Sequence, residues 1–152
     1  MCGQAESCIQ LRKITTTDLW DILRLEVDED QKKFVASNAI SLAEALFEKR
    51  AWYRAIYAGD TPVGFVMLYL DSEKPEYSLW RLMIASGHQR KGYGRAAMQE
   101  VIDFVRTLPQ ARSLLTSYVP GEGNPGGFYA RLGFHETGEI DGEECVMRLE
   151  LY

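Results

Sequence analysis

The sequence predicts an α+β fold in which about seven strands and about four helices form a single domain. The strand and helix patterns follow the order one strand, two helices, three strands, one helix, one strand, one helix and two strands. Turn signals at Gly59 and Gly142 each separate two apolar strand patterns, as in β-hairpins. The chain has 152 residues, of which 46% are hydrophobic, and this is enough for one sizeable core.

The first half of the chain opens with the patterns of one strand and two helices. Residues 9–14 alternate apolar and polar side chains, which predicts a first strand. Thr16 or Thr17 can cap a helix whose apolar residues recur at helical spacing up to Val27. The capping-box pattern Ser41-Leu42-Ala43-Glu44 predicts the start of a second helix.

The remaining patterns complete the strands and place two more helices between them. Aromatic and β-branched residues predict three further strands, and an amphipathic segment predicts a central helix that Pro109 ends. The predicted ranges are 52–58, 62–70 and 77–84 for the strands, 94–108 for the central helix, 113–119 for the fifth strand, 125–132 for a short helix and 134–151 for a closing hairpin. No repeat or linker indicates a second domain, so we expect one domain over residues 9–152 after a poorly ordered tail, residues 1–8.

The composition argues against several classes of function. A net charge of −5 argues against nucleic acid as the main partner and weakly favours a cationic partner. No apolar run approaches the roughly 20 residues of a membrane span, and the first residues lack the features of a signal peptide. We therefore expect a cytoplasmic protein that does not bind membranes. The three cysteines and two histidines lack the spacing of metal ligands, which predicts free thiols and no metal site.

A loop between a predicted strand and the central helix has the features of a phosphate site. This loop, Gln89-Arg90-Lys91-Gly92-Tyr93-Gly94, follows an apolar strand that ends at Ile84. A helix N-terminus presents free backbone N–H groups and the positive end of the helix dipole. The two glycines lack Cβ atoms that would hold a pyrophosphate away from the main chain, and the adjacent arginine and lysine add positive charge. An ordinary basic turn at a helix start is the alternative interpretation.

Two other nucleotide-binding motifs fit this loop poorly. A dinucleotide fingerprint requires a tight turn directly after the strand and a later acidic residue, and both are missing here. The P-loop pattern is absent from the sequence. What remains, Q-x-x-G-x-G after a strand, resembles the pyrophosphate loop of the GNAT superfamily of acetyl-coenzyme A (acetyl-CoA) dependent N-acetyltransferases. The resemblance implies a mixed, mostly antiparallel sheet over residues 9–151 and cofactor-binding roles for Gln89, Arg90, Lys91, Gly92, Tyr93, Gly94 and Arg95.

A second motif near the C-terminus strengthens the resemblance. The segment Phe128-Tyr129-Ala130-Arg131-Leu132-Gly133-Phe134 is similar to the F-Y-x-x-L-G-F motif of the same superfamily. The tyrosine of that motif is the usual general acid of the family, so the resemblance implies that Tyr129 protonates the departing thiolate. A neutral phenol of pKa about 10 can protonate the thiolate of a thiol whose pKa is about 8.5. A packed aromatic residue without a catalytic role is the alternative for Tyr129.

Asn124 departs from the family pattern. Family members commonly carry a coenzyme-binding asparagine seven positions before the tyrosine, whereas Asn124 lies five positions before Tyr129 and directly precedes Pro125. Asn124 is therefore either a cap of the short helix or a ligand of the coenzyme.

The resemblance also implies functional residues in the fourth strand. In the superfamily the fourth and fifth strands splay apart, and the pantetheine arm of the coenzyme binds along the fourth strand as in β-augmentation. This implies cofactor contacts for Leu82, Met83 and Ile84. Several polyamine-acetylating relatives place a carboxylate base in this strand, but Trp80 occupies that place here, so no general base is assigned. Trp80 is either a core residue or part of the acceptor pocket.

The densest acidic run, residues 25–31, lies where the resemblance implies one wall of the acceptor cleft. Glu26 and Asp28 would bind an ammonium group of a polyamine if they point into the cleft. A solvated helix end is the alternative for this run. Residues 27–38 also resemble the spermine and spermidine acetyltransferases of the superfamily.

The expected activity is transfer of an acetyl group from acetyl-CoA to a primary amine, with a small cationic polyamine or diamine such as spermidine or spermine as acceptor. The amine would attack the thioester directly while a backbone N–H of the fourth strand stabilises the oxyanion. A protein amine or an amine antibiotic stays open as acceptor, and a non-catalytic acyl-CoA-binding sensor is the alternative from another class. A homodimer is compatible with the sequence, which does not fix the oligomeric state.

Overall fold

The structure is a computed structural model that describes residues 8–152. It contains one seven-stranded sheet, which confirms the predicted α+β fold. The strands are β1 (Ile9–Arg12), β2 (Ala51–Ala58), β3 (Thr61–Asp71), β4 (Glu76–Ile84), β5 (Ser113–Tyr118), β6 (His135–Asp141) and β7 (Glu144–Glu150). The helices are α1 (Leu19–Leu23), α2 (Asn38–Phe47), α3 (Tyr93–Arg106) and α4 (Gly126–Arg131), with a 3-10 helix at Glu29–Gln31. Among these residues, no helix combines the length and the apolar composition needed to cross a bilayer.

The predicted tail, residues 1–8, lies outside the described residues except for Cys8. Cys8 is disulfide-bonded, so the expectation of free thiols is wrong at this position. Cys145, which is half-buried in β7, is a free thiol.

The sheet is almost entirely antiparallel, and its one parallel junction is where the strands separate. The strand order is β1-β2-β3-β4-β5-β7-β6, and only β4 and β5 run parallel. These two strands share a single pair of opposed residues, Ser78 and Leu115. Within residues 8–152, the remainder of β4, as far as Ile84, has no partner strand on its β5 side. The sheet is therefore continuous on either side of a gap between β4 and β5.

A bulge in β4 accompanies this gap. The register between β3 and β4 places Met67 opposite Arg81 but Leu68 opposite Leu79. Trp80 is therefore an extra residue in β4. Because a bulge bends its strand and interrupts the local ladder, β4 bends at the point where its contact with β5 ends.

Two hydrophobic cores fix the bent strand from both faces of the sheet. Side chains of β3 alternate between them: Val66 and Leu68 pack in the core that contains α3, whereas Phe65 and Met67 pack in the core that contains α1. Met83 of β4 belongs to the second core. The central helix α3 is anchored by five buried side chains, Ala97, Met98, Val101, Ile102 and Val105.

The second helix begins earlier than its predicted cap. The hydroxyl of Ser37 accepts a hydrogen bond from the N–H of Ile40 at 3.2 Å, so Ser37 is the N-cap. Ser41, the predicted cap, is a buried residue inside the helix, and its hydroxyl donates to the carbonyl of Ser37 at 3.2 Å. The helix ends at Phe47 and leaves room for β2 to start at residue 51.

The first helix is also shorter than predicted. Its N-cap is Asp18, rather than Thr16 or Thr17 as predicted. The carboxylate of Asp18 accepts a hydrogen bond from the N–H of Thr15 at 2.7 Å. The helix ends at Leu23 rather than near Val27. Beyond the end of the helix, a tertiary hydrogen bond holds the backbone at Glu26. The carbonyl of Glu26 accepts this bond from the N–H of Ser86 at 2.7 Å.

Gly64 allows β3 to approach β4 closely, and this gives a test of the fold. A Cβ atom at Gly64 would overlap the carbonyl oxygen of Met83 and lie 2.9 Å from Cδ1 of Ile84. We expect Gly64→Ala to lower the free energy of unfolding by about 1–3 kcal/mol, because backbone must shift to accommodate the methyl group. Gly127→Ala is a matched control, since its nearest neighbouring atom lies 3.9 Å away. Chemical denaturation of both variants measures the difference, and equal stabilities would contradict the overlap.

Candidate active site

A cleft of about 1310 Å³ opens where β4 and β5 diverge. One wall is β4 from Ser78 to Ile84 together with the following loop and the first turn of α3. The opposite wall consists of β5, α4 and the β6–β7 hairpin. Residues 31–36, between the 3-10 helix and α2, line a further side. Most of the residues that the two sequence motifs single out therefore meet in one cavity.

The loop before α3 has the conformation expected of an anion-binding helix start. Gly92 is the N-cap of α3 and adopts φ = 83°, a left-handed conformation that favours glycine. The first N–H groups of the helix have no carbonyl partner within the helix. The glycines at 92 and 94, Tyr93, Arg90 and Arg95 line the cleft, whereas Lys91 is exposed outside its lining. The cleft thus has a positively charged end at this loop.

Gln89 holds this loop in place through its side-chain amide. Its Nε2 donates to the carbonyl of Ile84 at 2.8 Å and to Oε1 of Gln31 at 2.7 Å. Gln31 returns a hydrogen bond from its own Nε2 to Oε1 of Gln89 at 3.2 Å. Gln89 therefore joins the end of β4, the loop before α3 and the segment that precedes α2.

Tyr129 is buried at the bottom of the cleft. Its side chain is 6% exposed and packs against Phe128 and Phe134, with ring centroids 5.4 and 5.7 Å away. Burial raises the pKa of the Tyr129 phenol, and a hydrogen bond with Thr116 opposes this shift. The phenol is therefore protonated at neutral pH and can donate a proton to a group in the cleft.

Asn124 uses both ends of its side-chain amide locally. Nδ2 donates to the carbonyl of Gly121 at 2.6 Å, and Oδ1 accepts the N–H of Gly126 at 2.8 Å. These two bonds fix the turn that precedes α4. The N-cap of α4 is Pro125, so Asn124, the predicted cap, lies one residue before the cap position, and it is not part of the cleft lining. A role of Asn124 toward the coenzyme stays a prediction.

The cleft side of β4 combines unpaired backbone with two large side chains. Leu82, Met83 and Ile84 line the cleft in the stretch that has no β5 partner. Trp80, the bulged residue, also lines it and is partly buried. Arg81 is held by α2, because its Nη1 lies 3.0 Å from Oε1 of Glu44.

Glu26 and Asp28 are not brought into the cleft. Glu26 lies 3.6 Å from Nζ of Lys32 in an exposed ion pair. Asp28 caps the 3-10 helix and also accepts a hydrogen bond from the hydroxyl of Ser86. Neither residue lines the cavity. The acidic run therefore connects the wall of the cleft to the β4–α3 loop rather than facing an acceptor.

Sequence reasoning missed the carboxylates that do line the cleft. Glu139, Asp141 and Glu144 project from the β6–β7 hairpin. The hairpin was predicted from the turn at Gly142, and its acidic character is visible in the sequence, but only the insertion of β7 beside β5 places it at the cleft. Within residues 8–152, no group of three or more His, Cys, Asp or Glu side chains is arranged to hold a metal ion.

Comparison with known proteins identifies the family. Residues 8–134 match the sequence profile of the acetyltransferase (GNAT) family. The chain belongs to this family. It is an N-acetyltransferase that uses acetyl-CoA.

Relatives of the GNAT chain include polyamine acetyltransferases. It is 26% identical over 151 residues to the spermine/spermidine N(1)-acetyltransferase of Bacillus subtilis, and the match covers 92% of this chain and 97% of that protein. The crystal structure of spermidine N-acetyltransferase from Vibrio cholerae in complex with CoA and spermine is similar, with a TM-score of 0.71, 18% identity and 95% and 96% of the two chains covered. The ribosomal-protein-S18-alanine N-acetyltransferase of Escherichia coli is also similar, with a TM-score of 0.67, 19% identity and 94% of each chain covered. Since the two solved structures are named for different acceptors, the shared fold alone does not determine the acceptor.

The open cleft suits an acyl-CoA molecule. The backbone of β4 beyond Ser78 can pair with an extended amide-containing chain, because no strand of the described residues occupies that side. The start of α3 offers backbone N–H groups to a pyrophosphate. A Cβ atom at Gly94 would point at Phe128 of α4, 3.5 Å from its ring, and so would narrow the passage between the two helices.

Gly94→Ala tests whether the coenzyme passes this point. The added methyl group makes only ordinary van der Waals contacts, so we expect the melting temperature to stay within about 2 °C of the original. The Michaelis constant for acetyl-CoA should rise on the order of 10-fold, because the methyl group occupies space beside the pyrophosphate. Steady-state kinetics at saturating amine measure the change. An unaltered Michaelis constant would show that the coenzyme lies elsewhere.

Proposed function

We propose that this chain acetylates a primary amine of a polyamine or diamine such as spermidine or spermine, with Tyr129 as the general acid. The observation that carries the proposal is that Tyr129, a buried residue with a phenol group, lines the same cleft as the part of β4 that is not paired with β5. A proton donor at this place has a clear use in thioester chemistry, since the departing thiolate must be protonated.

The roles of the other cleft residues follow from their geometry. The backbone of Leu82, Met83 and Ile84 would bind the pantetheine arm, and an N–H of this strand would stabilise negative charge on the acyl oxygen. The α3 N-terminus, with Arg90 and Arg95, would hold the pyrophosphate. Acetyl-CoA supplies the thioester. The deprotonated amine attacks directly, and no enzyme nucleophile is required.

Trp80 is proposed to shape the acceptor side of the cleft. It is the bulged residue of β4 and lines the cavity. Its side chain is partly buried and packs against the core that contains α1. A flat aromatic face beside the reaction centre suits the methylene groups and the charge of an alkyl ammonium chain. The exposed Glu26 and Asp28 would act indirectly, by fixing the segment that forms the neighbouring wall.

The polyamine assignment rests on two observations of different kinds. The Bacillus subtilis spermine/spermidine acetyltransferase matches almost the full length of this chain. The acceptor side of the cleft carries carboxylates from the β6–β7 hairpin, which favour a substrate with more than one positive charge.

A comparison of amine acceptors tests the proposed substrate. Spermidine and spermine should be acetylated with a kcat/KM roughly 10-fold or more above that of a monoamine of similar length, because their remote ammonium groups interact with the acidic hairpin. The advantage should shrink with added salt, since salt screens exposed charges. Release of free CoA measures each rate, with an alanyl peptide and an aminoglycoside in the same panel. Preference for either of these would assign the acceptor to another class, and CoA binding without turnover of any amine would indicate a sensor.

Tyr129→Phe tests the proposed acid. The variant loses one hydroxyl and almost no volume, so kcat should fall on the order of 10- to 1000-fold while the Michaelis constant for acetyl-CoA stays nearly constant. Tyr118→Phe is the control. The Tyr118 phenol also lines the cleft, but it donates to Glu136, and this bond raises its pKa to about 12. Tyr118→Phe should keep most of the turnover. Undiminished turnover of Tyr129→Phe would leave Tyr129 with a packing role only.

A further inference from the structure

Glu144 lies at the start of β7 and faces the cleft. Glu144 and Val146 both line the cavity, whereas Cys145 between them does not. This alternation is that of a regular strand, and β7 pairs with β5 without a register shift. Glu144 is partly buried, in contrast to the exposed Glu143 in the adjoining turn.

Among the described residues, the carboxylate of Glu144 has an unfavourable neighbour and makes no ion pair. Asp141 is its directly opposed residue across the β6–β7 hairpin, and both line the cleft. Side chains opposed in this way lie about 5 Å apart at Cβ, and like charges in such a pair destabilise a sheet. In the part of the chain that the structure describes, neither side chain makes an ion pair or a hydrogen bond. A cation in the cleft would relieve this repulsion.

Glu144 and Tyr129 approach the gap from opposite faces of the sheet. Tyr129 packs in the core with Met147, which faces the same side of β7 as Cys145. Glu144 projects from the other face. Both residues line the same cleft. Burial and, after it, the charge of Glu144 raise the pKa of Tyr129, against the Thr116 hydrogen bond. A carboxylate and a proton donor therefore line the cleft from opposite faces of the sheet.

We propose that Glu144 determines acceptor specificity by binding an ammonium group of the amine substrate, with Asp141 as the second carboxylate of the pair. The inference rests on the proposed function, because it assigns a residue to the acceptor side of the same cleft. The reacting nitrogen, once it has lost a proton to solvent, forms the new N–C bond while the C–S bond breaks. Tyr129 gives its proton to sulfur and regains one from the acylated nitrogen. The ammonium held at Glu144 is a remote one and keeps its protons throughout.

The test compares Glu144→Gln with Glu143→Gln as the matched control. Both variants remove one negative charge from the same hairpin, but only Glu144 lines the cleft. For Glu144→Gln we expect the Michaelis constant for spermidine to rise roughly 10-fold, that for a monoamine of similar length to change less than about 2-fold, and that for acetyl-CoA to stay constant. The melting temperature without ligand should rise by roughly 1–3 °C, since a like-charge pair is removed. Glu143→Gln should leave all three Michaelis constants unchanged.

The outcomes separate this inference from the proposed function. If the original chain acetylates spermidine and Glu144→Gln has the same Michaelis constant for spermidine, the role of Glu144 is overturned and the proposed acetyltransferase function stands. If no amine is acetylated but spermidine raises the melting temperature of the original chain and not that of Glu144→Gln, the function fails and the binding role stands. A fall in melting temperature with equal losses for spermidine and the monoamine would assign Glu144 a structural role and overturn the inference.

Discussion

The separation of β4 from β5 is the constraint on which the site depends. Buried backbone N–H and C=O groups normally find partners within a sheet, and the two strands are adjacent, yet they share only the Ser78–Leu115 pair. The bulge at Trp80 bends β4 away, and the ladder with β3 holds the bent strand in place. A rigid strand with one free side can bind an extended ligand without reorganising itself, which lowers the entropic cost of binding.

The two carboxylates of the acidic run that were predicted to bind the acceptor, Glu26 and Asp28, lie outside the cleft lining. Asp28 caps the 3-10 helix and binds the hydroxyl of Ser86, while the carbonyl of Glu26 accepts the N–H of the same serine. The Gln31–Gln89 pair adds a second connection to the same loop. The segment before α2 and the loop before α3 are therefore one connected unit.

Local signals in the sequence predicted the elements well, and tertiary contacts explain what they missed. The loop from Gln89 to Gly94 and the motif around Tyr129 consist of adjacent residues whose geometry is set by backbone rules, so their structural setting was predictable. Helix caps were less predictable. The capping-box pattern pointed to Ser41, but Ser41 is buried inside the helix and Ser37 is the N-cap. The position of Glu144 depends on β7 lying between β5 and β6, and no local pattern specifies that order. The acidic hairpin that lines the cleft was accordingly the part least accessible from the sequence.

The location of the charged groups has a consequence for how an amine would be held. Trp80 occupies the place for which the resemblance implied a carboxylate, in a strand packed against a core, whereas Glu144 and Asp141 lie on the β6–β7 hairpin that lines the cleft. Burying an ammonium group beside a carboxylate in a core requires both ions to lose their water, which often costs more than the attraction returns. At the hairpin both ions stay partly hydrated, so an ion pair there is weaker but less costly to form. Such a site would discriminate by the number of charges on the acceptor, while the aromatic ring of Trp80 and the passage through the sheet would select the amine that reaches the thioester.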